Sequence, residues 1–474
     1  RERAEWNWTM LSDHAWNGTD EANKKVNASL RRRWSEELLR LSESLTRQAW
    51  GGLGLAAADR YLTLFNPLSV PRAELVRVEA PAGFNAVMAG SASLPAQIAQ
   101  EEGRTILHFV SPRISGFGLQ TVQLETRTGQ PAGGKLRASP TELEGPYYRL
   151  RVDTQTGGLA SLVWKPAGAE LVAGPAGRSL GQTVYFDGKE HTLADVKSEV
   201  EATGPVLARL RTTGVCAGIR TTSRVTIYAA LDRVDFDIRL SKPVARNQER
   251  LIHVFPVARP GATLRIETTG AVIRPLPQPE GDLLPGADAR RFAVQGFLDS
   301  SLPGGLGVTI APLDAYALRL DLDPLSFEAL GNDQNYKEVS QDQDGVTEFR
   351  FRYSLRGHAG GYSGPDAFAW SRSVAAPLPV SFGRPAERVF PPLAEVDPAR
   401  AIVTCLKPAE EEGIMLRVWE TSGRAGPFRI RVPGFRRAFR TDLVERDLEP
   451  LRIDNSRAGW TLPAHGFGAV RLVP

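Results

Sequence analysis

The chain has 474 residues, of which 58 are Lys or Arg and 54 are Asp or Glu, so its formal net charge is only +4. This near balance excludes a nucleic-acid-binding protein that works through bulk positive charge. Hydrophobic residues make up 42% of the chain and charged residues 24%, which excludes a disordered chain and suits about three domains of roughly 150 residues each.

Turn-forming residues are frequent and cysteines are rare. The chain contains 45 Gly and 34 Pro, spread without a repeat, which predicts many turns between short strands. Cys216 and Cys405 stand far apart, so we expect neither a disulfide framework nor a thiolate metal site. No run of about 18 uninterrupted apolar residues occurs, and no membrane-spanning segment is predicted. We therefore expect neither nucleic acid nor a membrane as a partner.

The only sustained helical pattern covers residues 19–50. We predict one amphipathic helix there, or two helices joined near Asn27. Thr19 or Asp20 could cap its start, and Gly51 with Gly52 could end it. The apolar residues that recur at three- and four-residue spacing are Leu30, Trp34, Leu38, Leu41, Leu45 and Ala49.

After Arg60 the hydrophobic period becomes two, which is typical of strands with one packed face and one wet face. Val234, Phe236, Ile238 and Leu240 alternate with charged residues in the clearest example. No helical pattern separates these runs, so we expect antiparallel sheets that stack as sandwiches. Similar runs lie at 76–80, 148–152, 224–229, 251–257, 347–353, 414–419 and 470–473.

The predicted fold is therefore mainly β, with stacked antiparallel β-sandwich domains preceded by a short α-helical segment. Two stretches, 126–144 and 377–400, are rich in Gly or Pro and indicate linkers. Boundaries near 55, 140 and 385 follow from these changes in pattern. The resulting domains are 1–55, 56–140, 141–384 and 385–474.

A polar string, Ser12 to Thr19, stands just before the predicted helix and contains His14 and Trp16. A histidine at a helix entrance can ligate a metal ion, and a neighbouring tryptophan can form an apolar wall for a sugar ring. A metal site needs three or four ligands, however, and no second histidine lies nearby. On the residues alone, a structural or interfacial histidine is therefore the favoured interpretation of the string.

Several strings resemble, in the same order, glycoside hydrolase family 38, the α-mannosidases. The run LFNPLSVPR at 64–72 is similar to the entry of a strand in that family, and the segment 147–162 resembles its next hairpin. LRVWETSG at 416–423 and DLVER at 442–446 are similar to strings of its last domain. Segments that resemble later strands of its large sandwich lie at 203–206, 250–256 and 296–309.

The resemblance implies an order of domains. In the family a (β/α) catalytic domain comes first, a helical bundle follows, and β domains end the chain. Residues 1–55 would then be the end of the bundle, and 141–384 a large mutarotase-like super-sandwich. No residue matches the family's nucleophile or acid/base, so we expect no catalytic residue in this chain. Its partners would be its own N-terminal catalytic domain and α-mannoside oligosaccharides.

The resemblance also implies a zinc ligand. The family's zinc takes three ligands from the first domain and one histidine from the bundle, and His14 matches that histidine. Ala15 stands where the animal enzymes carry an aspartate that contacts the sugar, so that role cannot be transferred. We expect zinc in the intact enzyme and none bound by this chain alone, because one histidine leaves most of the coordination sphere empty.

Trp16 and Tyr185 are the candidates for substrate binding. The segment 182–186 could reach over a sugar subsite, as loops of the large sandwich do in the family, but an ordinary strand core explains its aromatic residues equally well. His358 lies in a Gly-rich run, where we expect an exposed polar residue of a turn.

The function that follows is the C-terminal portion of a retaining α-mannosidase, which hydrolyses terminal α-mannosyl linkages when intact and is inactive as this chain alone. One alternative is a freestanding carbohydrate-binding module, since nine tryptophans could provide stacking platforms. Another is one subunit of a split glycosidase. The frequent use of Arg and the rarity of Lys suggest a bacterial source. We expect a cytoplasmic protein, although the sequence begins at Arg1 without an initiator Met.

Overall fold

The computed structural model describes residues 1–13, 20–56, 58–81, 83–127, 134–175, 177–322, 324–332, 345–385 and 393–474. These residues form three helices and 37 strands. They divide into two compact units. The first unit contains Arg1–Thr63 and the segment that begins at Val380, and the second contains Leu64–Pro379 and the described residues from 393 onward.

The first unit is built on two helices, α1 Glu2–Ser12 and α2 Glu21–Gly52. The predicted helix is therefore a single one. Asp20 caps it, because its side chain accepts a hydrogen bond from the backbone N–H of Asn23 at 2.9 Å. The sequence pattern did not predict α1. None of the helices in the described part of the chain is long and apolar enough to cross a membrane.

The first strands build small antiparallel sheets. In the second unit β3, β7 and β6 form a three-stranded sheet with β7 in the middle, and β8, β4 and β5 are neighbours in another. These strands are β1 Leu55–Ala56, β2 Tyr61–Phe65, β3 Leu75–Glu79, β4 Ala86–Ala89, β5 Ala92–Leu94, β6 Ala96–Glu101, β7 Arg104–Val110 and β8 Leu119–Glu125.

A large sandwich follows in the second unit. Its strands are β9 Arg137–Ser139, β10 Glu142–Glu144, β11 Tyr148–Val152, β12 Leu159–Trp164, β13 Ala169–Glu170, β14 Gln182–Phe186, β15 Glu190–Thr192, β16 Ala194–Thr203, β17 Leu207–Cys216, β18 Ile219–Tyr228, β19 Val234–Ser241, β20 Glu249–Val254, β21 Thr263–Thr268, β22 Ala271–Ile273, β23 Arg291–Ala293, β24 Leu298–Ser301, β25 Gly307–Pro312, β26 Ala317–Arg319, β27 Ser326–Asn332 and β28 Glu348–His358.

Three sheets make up this sandwich. A five-stranded sheet has the order β13-β12-β11-β10-β9, and a six-stranded sheet has the order β15-β14-β20-β27-β26-β23. The largest sheet has nine strands in the order β16-β17-β18-β19-β28-β25-β24-β21-β22. Alternate residues of each strand point to the same face of its sheet. The apolar side chains on the inner faces of the three sheets pack together in one core.

Aromatic rings form the centre of that core. Phe255 lies 4.9 Å from the ring of Tyr353 and 5.4 Å from that of Phe327, and its ring meets Phe236 edge to face at 5.9 Å. All four side chains are almost completely buried. Such rings contribute a large share of the buried apolar area of a core, so this cluster joins the six- and nine-stranded sheets.

The last elements are α3 Gly364–Ala375, β29 Val380–Phe382, β30 Arg384–Pro385, β31 Ala401–Pro408, β32 Ile414–Glu420, β33 Gly426–Arg431, β34 Arg437–Thr441, β35 Asp447–Leu451, β36 Arg457–Leu462 and β37 Phe467–Val473. In the second unit β31-β32-β37-β34-β35 form a sheet, and β33 pairs with β36. Their apolar faces enclose a separate core around Phe428 and Trp460, whose rings meet edge to face at 5.4 Å.

The mainly β fold of antiparallel sheets with a helical segment at its start is confirmed. Each strand predicted from alternation is present. The predicted 148–152 coincides with β11, and the ends of the others differ by a few residues. The expectation that no helix lies among the strands is wrong, because α3 follows β28. The division into domains at 55, 140 and 385 stays a prediction.

Candidate functional site

The two residues that sequence analysis placed nearest to a sugar and a metal, His14 and Trp16, lie outside the described residues. The helices before and after them are described. Asn7 Nδ2 of α1 donates to Glu37 Oε2 of α2 at 3.0 Å, and Arg31 of α2 donates to the carbonyl oxygen of Asp13 at 2.8 Å. A later residue of the first segment thus contacts an earlier residue of α2. The two helices are therefore antiparallel and form a hairpin.

A polar contact inside this hairpin is buried. Asn7 is inaccessible to solvent, and Trp34 packs in the same interior. Hydrogen bonds from Asn7 and then from Arg3 lower the pKa of Glu37. Because the carboxylate accepts from both side chains of α1, it fixes the rotation of α1 against α2.

The described residues contain no group of three or more His, Cys, Asp or Glu arranged to hold a metal ion. The described residues therefore do not form a zinc site by themselves, and we derive no zinc-dependent reaction step from them. Cys216 is buried and Cys405 half-buried, and both are free thiols. Burial raises the pKa of Cys216 to about 11, so its thiol stays protonated at neutral pH, as a structural cysteine does.

Tyr185 lies on β14, between β15 and β20 of the six-stranded sheet, and only 6% of it is exposed. Its hydroxyl donates to Glu249 Oε2 at 2.6 Å, and Glu249 Oε1 lies 2.7 Å from Nζ of the buried Lys242. Burial, and then the hydrogen bond to Glu249, raise the pKa of Tyr185. The phenol is therefore neutral and already partnered, which favours a role in the strand core. Its role in substrate binding stays a prediction.

His358 occupies the end of β28 and is not the exposed turn residue that its glycine neighbours suggested. Its Nε2 lies 2.8 Å from Asp299 Oδ2, and the same carboxylate accepts from Thr309 at 2.8 Å and from Ser301. Asp299 is 1% exposed. A buried carboxylate with three donors is a satisfied structural group. No local pattern could predict this cluster, because β24, β25 and β28 are adjacent only in the folded chain.

The string LFNPLSVPR proves to be a junction between elements. Asn66 is fully buried, and its Nδ2 donates to the carbonyl oxygens of Val70 at 2.8 Å and Ser115 at 3.0 Å. Its Oδ1 accepts from the Nε of Arg72 at 2.9 Å. An asparagine offers both donors and an acceptor, so one side chain holds this segment in place and orients Arg72.

Arg72 and Ser69 then connect the string to distant elements. Arg72 donates to the carbonyl oxygens of Ser373 at 2.7 Å and Ala376 at 2.6 Å, at the C-terminal end of α3. Ser69 Oγ accepts from the backbone N–H of Val403 on β31 at 3.0 Å. A cation at a helix C-terminus satisfies carbonyl oxygens that the helix leaves unpaired and complements its dipole. The motif therefore holds the fold together and carries no catalytic group.

A polar cleft of about 540 Å³ lies between the three-stranded sheet and the nine-stranded sheet of the second unit. Glu101, at the end of β6, accepts from Arg209 of β17 at 2.8 Å and from Arg77 of β3 at 2.5 Å, and His108 lies 3.3 Å away. Burial alone would raise the pKa of Glu101, but the hydrogen bonds from His108 and the two arginines outweigh it and hold the pKa well below the usual range. The carboxylate therefore stays ionised and links the two sheets.

By its fold, this is a β-sandwich protein with several cores, and its described residues contain no group of three or more His, Cys, Asp or Glu that could hold a metal ion. Residues 400–467 match the family described as the glycosyl hydrolases family 38 C-terminal beta sandwich domain. The resemblance to family 38 is thereby confirmed. No curated protein sequence matches the chain significantly.

Two solved structures share the fold of nearly the whole chain. An alpha-mannosidase from Enterococcus faecalis V583 superposes with a TM-score of 0.75 and 12% sequence identity, over 99% of this chain and 63% of that one. A protein in the Glycosyl Hydrolase Family 38 from Enterococcus faecalis gives a TM-score of 0.74 and 12% identity, over 99% of this chain and 66% of that one. The present chain thus spans about two thirds of the length of these proteins.

Proposed function

We propose that this chain is the C-terminal, β-rich region of a retaining α-mannosidase that hydrolyses terminal α-mannosyl linkages. The observation that carries the proposal is the match of residues 400–467 to the family 38 C-terminal domain together with the shared fold over 99% of the chain. The partners of the chain would be its own N-terminal catalytic domain and α-mannoside oligosaccharides.

The chemistry of a retaining glycosidase requires two carboxyl groups about 5 Å apart across the scissile bond. No residue of this sequence matches the nucleophile or the acid/base of family 38, and carboxylates such as Glu101 and Asp299 are engaged by an arginine or by hydroxyl groups. The nucleophile and the acid/base are accordingly assigned to the catalytic domain. The role of the present chain is to support that domain and to shape outer sugar subsites, with Trp16 and Tyr185 as candidate contacts.

We further propose that His14 is one of four ligands of the enzyme's zinc ion. The support is the match of His14 to the family's bundle histidine, in a segment that lies between α1 and α2 in the sequence. A neutral imidazole is a common zinc ligand, and three further ligands would come from the catalytic domain.

Elemental analysis tests this assignment. The purified chain should contain zinc far below one ion per chain, and its complex with a polypeptide that contains the residues encoded upstream of Arg1 should contain about one ion per complex. His14→Ala should lower the zinc content of the complex, whereas the control His191→Ala, which removes a partly exposed histidine elsewhere, should not. Stoichiometric zinc in the chain alone, or in the His14→Ala complex, would contradict the assignment.

A further inference from the structure

An exposed tyrosine stands at the rim of a cavity in the second unit. Tyr316 lies in the connection between β25 and β26, and 54% of it is exposed. Its hydroxyl donates to the carbonyl oxygen of Leu313 at 3.1 Å, within the same turn. Single exposed rings are common on protein surfaces, so the surroundings of this ring decide whether it can bind a ligand.

The turn that carries Tyr316 is fixed at several points. The backbone N–H of Leu313 donates to the carbonyl oxygen of Arg352 at 2.9 Å, and that of Val294 donates to the carbonyl oxygen of Tyr316 at 2.8 Å. The carboxylate of Asp314 accepts from the backbone N–H of Arg352 at 2.9 Å. A ring that is already held in place loses little conformational entropy when a ligand binds against it.

The ring borders a cavity of about 350 Å³, a size that suits a small ligand. The walls of the cavity are apolar on two sides, formed by the turn after β25 and by the C-terminal end of α3. The apolar residues of these walls are Pro312, Leu313, Val374, Ala375 and Pro377. Gln295 adds a side-chain amide at the rim. The cavity therefore combines a flat ring, apolar walls and a polar group.

Charge in this cavity is balanced. Among the described residues that line it, only Arg352 is charged, and its Nε and Nη2 donate to the two oxygens of Asp314 at 2.7 Å and 2.9 Å. An ionic ligand would find no unpaired counter-charge there, which favours a neutral ligand. The ion pair still keeps lone pairs and N–H groups that can exchange hydrogen bonds with hydroxyl groups.

The cavity continues into the polar cleft of about 540 Å³ beside it. Four residues line both spaces: Leu313, Arg352, Val374 and Pro377. In the cleft Arg350 donates to both oxygens of Asp237, at 3.0 Å and 2.7 Å, so this guanidinium is neutralised as well. A ligand of several units can therefore extend from the ring of Tyr316 into the cleft without carrying charge.

These features match the chemistry of a neutral sugar. A pyranose ring has a flat side of C–H groups that packs on the negative face of an aromatic ring, and hydroxyl groups around its edge that both donate and accept. A purely apolar ligand would leave the polar groups of the site without partners. A linear polyol has the hydroxyl groups but lacks the flat side.

We propose that Tyr316 is the stacking platform of a sugar-binding site that holds a neutral α-mannoside oligosaccharide along the cavity and the adjoining cleft. The choice of mannose rests on the proposed function. The site itself lies entirely within described residues of the second unit and contains no catalytic group. Binding at this site and hydrolysis by the intact enzyme can therefore fail separately.

Calorimetric titration of the full chain with mannotriose tests the proposal. We expect saturable binding with one site per chain and a Kd of roughly 0.1–1 mM, because the open cavity leaves part of the ligand in water. The affinity should stay constant as salt is added, since the ligand is neutral. Tyr316→Ala should weaken it about tenfold, whereas Tyr316→Trp, which keeps a ring, should retain it.

A second variant fills the cavity and leaves the ring in place. Ala375→Arg introduces a long side chain at an exposed position at the end of α3, where a cation is compatible with the helix dipole. It should abolish measurable binding and keep the unfolding midpoint of the wild type. Wild-type affinity in Ala375→Arg would show that mannotriose binds elsewhere and would overturn the proposal.

The matched control is Trp8→Ala, which removes an exposed ring of α1 and should change the affinity less than twofold. Absence of saturable heat with mannotriose, equal weakening by Tyr316→Ala and Trp8→Ala, or equally tight binding of sorbitol would each overturn the proposal. Hydrolysis of 4-nitrophenyl α-mannoside by the complex with the upstream polypeptide reports on the proposed function alone. If that complex is active and mannotriose does not bind the chain, only the sugar-binding site is refuted.

Discussion

Arg72 caps the C-terminal end of α3, although it lies about 300 residues earlier in the chain. Its side chain donates to the carbonyl oxygens of Ser373 and Ala376. The side chain is 4% exposed, and Asn66 orients it. Removing it leaves buried acceptors unpaired, which costs more than the net value of the hydrogen bonds themselves.

We expect Arg72→Met to lower the free energy of unfolding by about 2–4 kcal/mol, because three hydrogen bonds of a buried cation are lost. Urea denaturation followed by circular dichroism measures the change. The control Arg113→Met removes an exposed arginine and should change stability by less than about 0.5 kcal/mol. Equal effects of the two substitutions would contradict this account of the junction.

A buried histidine predicts how stability depends on pH. His253 of β20 is fully buried, its Nδ1 lies 2.7 Å from the hydroxyl of Tyr353, and burial lowers its pKa from 6.5 to about 3. Between these values the unfolded chain binds a proton that the folded chain does not. This contribution to stability is therefore fully present above pH 6.5 and is lost as the pH falls, by up to about 1.4 kcal/mol per pH unit.

His253→Asn removes this titration, so the stability of the variant should fall less steeply between pH 7 and pH 5 than that of the wild type. Urea denaturation midpoints at several pH values measure the two slopes. If His253→Asn retains the wild-type slope, the assignment of this pH dependence to His253 is wrong.

Among the elements, the hairpin of β6 and β7 docks on the nine-stranded sheet through Glu101. Its carboxylate is 14% exposed and meets Arg209, Arg77 and His108. Glu101→Gln should destabilise the protein by about 2–4 kcal/mol, because the half-buried guanidinium of Arg209 loses its nearer counter-charge and keeps only Glu201, 3.7 Å away.

The comparison for that substitution is Glu79→Gln, which removes an exposed carboxylate 3.9 Å from Arg104. Exposed pairs of this kind contribute about 0–1 kcal/mol. Thermal unfolding of the two variants measures the difference in midpoint. A smaller effect for Glu101→Gln than for Glu79→Gln would show that the hairpin docks through other contacts.

The strands could be predicted because each buries one face, and residues such as Val234, Phe236 and Ile238 record that alternation directly in the sequence. Helix α3 escaped prediction because it is short and depends on contacts outside itself. Its ring of Phe368 packs against Phe297 at 5.1 Å and against Trp419 at 4.6 Å. Local patterns do not record contacts between such distant segments.

The candidate site was predicted less completely than the fold. The strings that resembled family 38 pointed to the correct domain family, yet Asn66 and Arg72 act in them as structural residues whose partners are backbone carbonyl oxygens. Because every residue has a backbone carbonyl oxygen, the sequence does not show which of them will accept these hydrogen bonds. Tyr185 was an ambiguous candidate from the sequence, and its hydrogen bond to Glu249 shows a structural engagement that alternation could not reveal.

At the scale of the whole molecule, the described residues form several separate cores and contain no cluster that could hold a metal ion. The shared fold with an alpha-mannosidase from Enterococcus faecalis covers 99% of this chain and 63% of that protein. The mannosidase activity that we propose would take its nucleophile and acid/base from an N-terminal catalytic domain, as the resemblance to family 38 implies.

The most direct test is hydrolysis of 4-nitrophenyl α-mannoside by the purified chain, by the polypeptide encoded upstream of Arg1, and by the two mixed in equal amounts. The account predicts no hydrolysis by the chain alone, and activity of the mixture that exceeds that of the upstream polypeptide and falls about 10- to 100-fold or more in His14→Ala. Robust hydrolysis by the chain alone, or a mixture no more active than the upstream polypeptide, would contradict it.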